Sequence, residues 1–150
     1  MLHKVIEVRN ISPSTYVLRL ERKGFDFKPG QCVNLGLKSS GVNREYSTYS
    51  GVKDPWLEFL IKEIKGGAVS PKLRSVAVGD EVDLHGPYGA FIIDPAKIGK
   101  SRFVFIGAGT GVAPFHSFIR SYPGLSYELI VGIKNTAERY DEKDYDPSKI

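Results

Sequence analysis

The stretch FVFIGAGTGVAP, from Phe103 to Pro114, decides the architecture of the second half of the chain. Phe103 to Ile106 are continuously apolar, which is typical of a parallel strand that is buried on both faces. A glycine-rich turn follows, and then apolar side chains recur at helical spacing, with Pro114 in the first helical turn, where no backbone N–H is needed. Because Leu129 to Val131 form a second apolar run, the sequence predicts a strand–helix–strand unit.

The turn itself, Gly107 to Gly111, has the placement of a dinucleotide-binding loop, in which small residues let the backbone approach a pyrophosphate. Its Gly-x-Gly-x-Gly spacing departs from the usual fingerprint, so the turn alone is weak evidence. The tail from Asn135 to Ile150 is polar and mixed in charge, and it is at most the start of a second helix. Residues 101–150 therefore predict only the first part of a doubly wound parallel sheet.

Residues 1–97 show the alternating pattern of strands instead. The predicted strands are short and are separated by glycine and proline turns; they cover residues 4–9, 16–20, 31–37, 44–50, 57–62, 81–85 and 90–93. Gly66-Gly67 ends one strand, and a single short helix is expected within Ala68 to Val76. Many short strands with one short helix predict a small antiparallel barrel.

Composition limits the possible functions of the chain. One cysteine, Cys32, excludes an internal disulfide and leaves no thiolate cluster for zinc or iron–sulfur, so no metal site is predicted. The net charge of +4 comes from scattered lysines and arginines, which argues against nucleic acid as a partner; it could favour an acidic protein, although ordinary solubility explains it more simply. No stretch resembles a signal peptide or a membrane span, so a cytoplasmic protein is expected.

Two further stretches carry residues that suit a ligand. In REYSTYS, from Arg44 to Ser50, a cation, an aromatic ring and a hydroxyl alternate onto one strand face. A guanidinium can hold phosphate as a fixed fork, and a tyrosine ring can stack on a flat ring. Gly66-Gly67 before a short helix offers free N–H groups for an anion, with the hydroxyl of Ser70. Taken alone, each stretch is better explained as a surface strand or a helix cap.

In this order and spacing, the motifs resemble the ferredoxin–NADP reductase family. The matches cover its Arg-x-Tyr-Ser-x-x-Ser, Gly-x-x-Ser, Gly-Pro-aromatic-Gly and Gly-Thr-Gly-x-Ala-Pro motifs, at Arg44–Ser50, Gly67–Ser70, Gly86–Gly89 and Gly109–Pro114. The stretch from Phe27 to Gln31 also looks familial, and the resemblance extends over residues 1–135. It implies an antiparallel Greek-key FAD-binding barrel at residues 1–97. Residues 101–150 would be the N-terminal part of an NAD(P)-binding Rossmann-like lobe.

The resemblance also implies a role for each matching residue. Arg44 would hold the flavin pyrophosphate, Tyr46 would pack on the isoalloxazine, and Ser47 would hydrogen-bond near its reactive nitrogen; Tyr46 and Ser47 are thus the catalytic candidates. The other residues implied in cofactor or nucleotide binding are Thr48, Gly67, Ala68, Ser70, Gly109, Thr110 and Gly111. Lys134 and Arg139 could meet a 2′-phosphate or belong to a solvated tail. Cys32, His85 and His116 are expected to be structural.

The implied function is an oxidoreductase that transfers a hydride between NADH or NADPH and FAD. Single electrons would pass to a carrier such as ferredoxin or flavodoxin. FAD is favoured over FMN because the family motif includes a pyrophosphate cradle. Two alternatives are a flavin-binding subunit or module without NAD(P)H turnover of its own, and a flavin-free barrel used for protein interaction.

The nucleotide lobe is shorter than the family leads one to expect. The chain is therefore expected to be a fragment, to be completed by a partner, or to be a diverged short protein. Uncovered strands at Phe103–Ile106 and Leu129–Ile133 are expected to promote self-association and to leave NAD(P)H binding weak.

Overall fold

The computed structural model describes residues 1–150 and contains eight strands, two α-helices and four short 3₁₀ turns. The elements are β1 (Leu2–Ser12), β2 (Thr15–Glu21), β3 (Cys32–Leu37), β4 (Asn43–Ser47), β5 (Trp56–Lys62), α1 (Ser70–Arg74), β6 (Glu81–Tyr88), β7 (Arg102–Ala108), α2 (Ala113–Ser121) and β8 (Ser126–Gly132). The 3₁₀ turns lie at Pro95–Lys97, Gly109–Val112, Thr136–Glu138 and Glu142–Asp144. None of the helices combines the length and the apolar content needed to span a bilayer.

The first six strands form one antiparallel sheet in the order β4-β3-β6-β1-β2-β5. The long connection before β6 brings that strand between β3 and β1, as in a Greek key. The two edge strands meet through a bridge between Thr48 and Phe59, and the N–H of Tyr49 donates to the carbonyl of Glu58 at 2.8 Å. The sheet therefore curls into a barrel that is joined at this one point, which confirms the predicted barrel.

Apolar side chains at alternate positions along the strands fill the interior of the barrel. Tyr16, Leu18 and Leu20 of β2 and Leu57, Phe59 and Ile61 of β5 all point inward and are fully buried. Burying each such side chain stabilises the fold by about 1.5–3 kcal/mol. The opposite face of these strands is also buried at Val17 and Leu60, because the second half of the chain packs against it.

The second half is the predicted strand–helix–strand unit. Strands β7 and β8 pair in parallel, with Phe105 opposite Leu129. Helix α2 lies on one face of this pair, where the rings of Phe105 and Phe115 stack with centroids 4.8 Å apart. Pro114 lies in the first turn of α2, as predicted. The two sheets together confirm the fold class expected from the sequence.

Phe103–Ile106 is buried on one face only, so the prediction of burial on both faces is wrong, while the uncovered strand surface expected from the short lobe is present. Helix α2 covers only one face of the β7–β8 pair, so Val104, Ile106 and Ile130 on the other face are 53%, 70% and 54% exposed. The apolar run indicated burial, but no element of the described chain supplies it on this side.

The predicted strand at residues 90–93 is also absent. Strand β6 instead continues through the Gly86–Gly89 corner, with Tyr88 opposite Cys32, and then leaves the sheet. The departing chain crosses Gly30, where an added Cβ would lie 1.7 Å from the carbonyl oxygen of Phe91, and the Phe91 ring packs on Phe118 of α2. Phe91 thus packs against the second half of the chain, and residues 90–93 do not pair as a strand. Two 3₁₀ turns occupy the tail, where the sequence predicts at most the start of a second helix.

Candidate functional site

A cavity of about 500 Å³ opens where β4 and β5 meet the loop before α1 and the turn after β7. Its walls include six of the residues predicted from sequence: Arg44, Tyr46, Gly67, Ala68, Ser70 and Thr110. Leu60, Lys62 and Ile64 of the β5 region complete one side. Residues from both halves of the chain therefore meet at one place.

Arg44 is the one arginine whose guanidinium has no carboxylate partner. Its only hydrogen bond is to the neighbouring carbonyl of Asn43, at 2.7 Å. Each of the other arginines has a carboxylate within 4.0 Å: Arg9, Arg19, Arg22, Arg74, Arg102, Arg120 and Arg139. Arg44 and the exposed Lys62 outnumber Glu45, the one carboxylate residue in the cavity lining, and this positive balance favours an anionic ligand.

Tyr46 lies on the same face of β4 as Arg44 and is half-buried against the barrel core. This partial burial raises the pKa of its hydroxyl, although the nearby Arg44 opposes the shift. The ring is therefore held in place as a neutral, flat wall of the cavity.

Ser47 and Thr48 do not line this cavity. Ser47 is half-buried and pairs with Cys32 across the sheet. Thr48 is fully buried, and both its N–H and its hydroxyl donate to the carbonyl of Gln31 at 3.0 Å. The Thr48 side chain is thus fully buried with its proton already donated, and it has no free donor for a cofactor; Thr48 instead joins the two edges of the barrel.

The loop before α1 has the geometry of an anion site. The N–H of Gly67 is already bonded to the carbonyl of Ile64, and a Cβ on Gly67 would lie only 2.8 Å from that oxygen, so the tight turn requires glycine. The N–H groups of Ala68 and Val69 donate to no group of the protein. The Ser70 hydroxyl accepts from the N–H of Ile64 at 2.8 Å and keeps its own proton for a ligand. Ala68 and Ser70, rather than Gly67, therefore offer the donors.

The glycine-rich turn after β7 divides its residues between two cavities. Thr110 reaches the first cavity, whereas Gly109 lines a second one of about 370 Å³ that shares Lys62 with the first. The second cavity lies at the carboxyl ends of β7 and β8 and includes Lys134, which is where parallel α/β sheets bind their ligands. Gly111 lines neither cavity, and Arg139 is paired with Glu142 at 3.8 Å.

Known proteins resemble this chain in sequence and in fold. Residues 3–93 match the family model described as the oxidoreductase FAD-binding domain. The chain belongs to this family. The match covers the barrel and the loop that carries Ala68 and Ser70, and it confirms the resemblance drawn from the motifs.

Among curated relatives, the chain is 39% identical over 119 residues to a toluate 1,2-dioxygenase electron transfer component from Pseudomonas putida, covering 77% of this chain and 34% of that protein. It is 36% identical to ferredoxin–NADP reductase B of Sorangium cellulosum, covering 79% of this chain and 50% of that one. The chain thus spans between a third and a half of the length of these relatives.

Two solved structures extend the likeness. An Amycolatopsis cytochrome P450 reductase superposes with a TM-score of 0.80 at 32% identity, over 93% of this chain and 44% of that one. A ferredoxin–NADP⁺ reductase from Plasmodium falciparum gives a TM-score of 0.85 at 23% identity, over 95% and 62%, and at this identity shows the shared fold alone.

Sequence reasoning missed some residues of the site. Lys62 lies at the end of β5, outside every motif, and only the fold brings it beside Arg44. Outside the cavity, His116 is expected from the sequence only to be structural, yet both of its ring nitrogens have a partner, at Tyr49 and Asp144. These partners are 67 and 28 positions away in sequence, so no local pattern could have indicated them.

Proposed function

We propose that the chain binds FAD in the first cavity and forms the flavin-carrying part of an NAD(P)H-dependent electron-transfer reductase. The observation that carries this proposal is the convergence of the one arginine without a carboxylate partner, the free N–H groups of Ala68 and Val69, and the half-buried Tyr46 ring. Phosphate oxygens need such donors, and an isoalloxazine needs a flat apolar neighbour. The residues present therefore fit the cofactor that the family binds.

In this proposal each residue has a defined task. Arg44 and the N–H of Ala68 hold the pyrophosphate, with Ser70 donating its remaining proton. Tyr46 fixes the plane of the ring. Ser47 follows it on β4 but lies outside the cavity lining, so its hydrogen bond near the reacting edge requires the ring to extend past Tyr46. Bound flavin would supply the exchange between two-electron and one-electron transfer, which no side chain provides.

The nicotinamide nucleotide is assigned to the second cavity. Gly109 provides a close backbone approach at the carboxyl end of β7, while Thr110 lies on the side of the FAD cavity. Lys62 and Lys134 outnumber Glu138 in the lining and supply positive charge for a phosphate. Since Lys62 lines both cavities, hydride donor and acceptor would lie side by side, and this proximity is the main catalytic contribution of such a site. The electron acceptor is proposed to be a ferredoxin, a flavodoxin or another carrier protein, in keeping with the relatives named as electron transfer components.

The second candidate function is a flavin-binding module without NAD(P)H turnover of its own. The exposed face of the β7–β8 pair favours it, because Val104, Ile106 and Ile130 leave an apolar surface beside the nucleotide cavity. In this case the same surface would promote self-association or a permanent partner.

Anaerobic mixing of the FAD-loaded chain with NADPH or NADH distinguishes the two functions. Loss of the visible flavin absorbance within seconds supports the reductase. A stable oxidised spectrum, in a chain that still holds FAD, supports the module. A chain that binds no FAD contradicts both.

A further inference from the structure

Helix α2 is fastened to the chain segment that continues β4. The Nδ1 of His116 lies 2.6 Å from the carbonyl oxygen of Tyr49, and the Ser117 hydroxyl donates to the carbonyl of Ser50 at 2.7 Å. The His116 ring is buried and stacks on the Tyr49 ring, with centroids 3.7 Å apart and planes 8° from parallel. The helix that follows the Gly109–Val112 turn is thereby tied to the strand that carries Arg44 and Tyr46.

The tail of the chain also bonds to His116 and Tyr49. The Asp144 carboxylate lies 2.9 Å from the Nε2 of His116. Asp141 accepts both terminal nitrogens of Arg9, at 2.8 and 2.9 Å, and the Tyr49 hydroxyl at 2.8 Å. His116 and Arg9 are thus each bonded to a carboxylate of the tail, at the junction of barrel, helix and tail.

The proton count at His116 follows from its two partners. A backbone carbonyl can only accept, so Nδ1 must carry a proton. The Asp144 side chain is partly exposed, and an aspartate carboxyl is ionised at neutral pH, so it can only accept; with Nε2 at 2.9 Å, that nitrogen also carries a proton. His3 is the contrasting case in the same chain: its Nδ1 faces the carbonyl of Glu21 at 2.8 Å, and its buried Nε2 has no partner. In His3, therefore, only a proton on Nδ1 has an acceptor.

The same groups could be considered as metal ligands, because atoms of His116, Asp141 and Asp144 lie within 4.8 Å of one another. Arg9, however, occupies both oxygens of Asp141, and a cation would have to displace this fork. The positive charge opposite the two carboxylates is thus already supplied by Arg9 and by the imidazolium.

We propose that His116, protonated on both ring nitrogens and paired with Asp144, is a positioning residue that fixes the flavin-binding strand against the nucleotide turn. It acts through the Tyr49 carbonyl and touches neither cofactor nor substrate. This inference rests on the proposed function, since it concerns the distance between Tyr46 and Thr110 across the FAD cavity. Loosening the contact lets the two walls of that cavity move apart.

Nitrogen NMR of the histidine side chains at neutral pH tests the proton count in the unmodified chain. The expected result is that both ring nitrogens of His116 carry protons, while His3 shows one protonated and one bare nitrogen. A neutral His116 ring would overturn the proposal. Asp144→Asn keeps an acceptor but removes its charge, and it is expected to convert His116 to a neutral ring; an unchanged doubly protonated ring there would count against Asp144 as the counter-ion.

FAD titration tests the positioning role. His116→Phe keeps the stacked ring and removes both donors, so the dissociation constant for FAD is expected to rise about tenfold, the scale of one charge-assisted hydrogen bond. His116→Asn can still donate to the Tyr49 carbonyl and is expected to recover most of the loss. The matched control is His85→Phe, at an exposed histidine outside the cavity.

The outcomes separate this inference from the proposed function. If the parent binds FAD and His116→Phe matches His85→Phe, the positioning role is wrong and the FAD site stands. If the parent itself binds no FAD, the proposed function fails. If His116→Phe does not fold, Asp144→Asn carries the titration, with a rise in the dissociation constant supporting the role and parental affinity contradicting it.

Discussion

Replacing Arg44 by alanine removes the one guanidinium that has no carboxylate partner. The side chain is exposed, and its single hydrogen bond within the protein is to the adjacent carbonyl of Asn43. The free energy of unfolding should therefore change by less than about 0.5 kcal/mol, as for most surface substitutions. The free energy of FAD binding should instead fall by about 1.5–3 kcal/mol, the contribution of a hydrogen bond to a charged group.

That loss corresponds to a dissociation constant between about tenfold and about 150-fold higher. Titration of the apo-chain with FAD, followed by flavin fluorescence, measures it directly. Arg44→Lys keeps a point charge without the fork and should lie between parent and alanine variant. Arg102→Ala, at an exposed arginine paired with Glu128 on the other strand pair, is the control and should bind FAD like the parent. An Arg44→Ala dissociation constant within twofold of the Arg102→Ala value, where about tenfold or more is expected, would refute the assignment of Arg44.

Four further predictions concern other parts of the molecule. Ser47→Ala should retain FAD but slow its reduction by NADPH in stopped-flow measurements, since Ser47 would act in the chemical step; an unchanged rate removes Ser47 from the catalytic residues. Gly67→Ala should lower both stability, by about 1–3 kcal/mol, and FAD affinity, because its Cβ meets the Ile64 carbonyl at 2.8 Å; Gly124→Ala, with only an ordinary contact at 3.9 Å, is the control in thermal melts. Burial raises the pKa of Asp141, but the hydrogen bonds from Arg9 and Tyr49 outweigh it, so the pKa in the folded chain is lowered. Ionised Asp141 therefore stabilises the fold above its unfolded-state pKa, and this stabilisation is lost as the pH falls through its folded-state pKa. In denaturant unfolding, Asp141→Asn should accordingly have a lower free energy of unfolding than the parent near neutral pH, and this difference should shrink below about pH 4. A difference that does not depend on pH would contradict the prediction. Finally, light scattering should show self-association that Ile106→Glu abolishes, whereas a monomeric parent would show that the exposed β7–β8 face needs no cover.

The barrel could be predicted because its information is local. Alternation in β2 and β5 places one set of side chains inward, and glycine turns separate the strands. The errors came from tertiary contacts. Residues 90–93 look like a strand by pattern, but the Phe91 ring packs on α2 instead. The apolar run Phe103–Ile106 predicts burial on both faces, but α2 covers only one face of the β7–β8 pair. An apolar pattern does not reveal how many elements pack against a strand.

Part of the site could also be predicted from local sequence, and part depends on the fold. Arg44 and Tyr46 are two positions apart on one strand, so their common face follows from the pleat. Ala68 and Ser70 form part of one turn, and their donors follow from the glycine pair before them. Nothing in the sequence places Lys62 beside Arg44 or His116 beside Tyr49, because those pairs come together only when the barrel closes on α2.

The central claim is that FAD binds in the cavity between β4, the loop before α1 and the turn after β7. Amide NMR of the labelled chain during addition of FAD tests this claim most directly, because it reports both whether FAD binds and where. The account predicts saturation at one FAD per chain, with the largest shifts at the N–H groups of Ala68 and Val69 and further shifts at Tyr46 and Thr110. Shifts confined to the apolar cavity beneath the tail, lined by Leu129, Val131 and Tyr145, or no shifts at all, would contradict it.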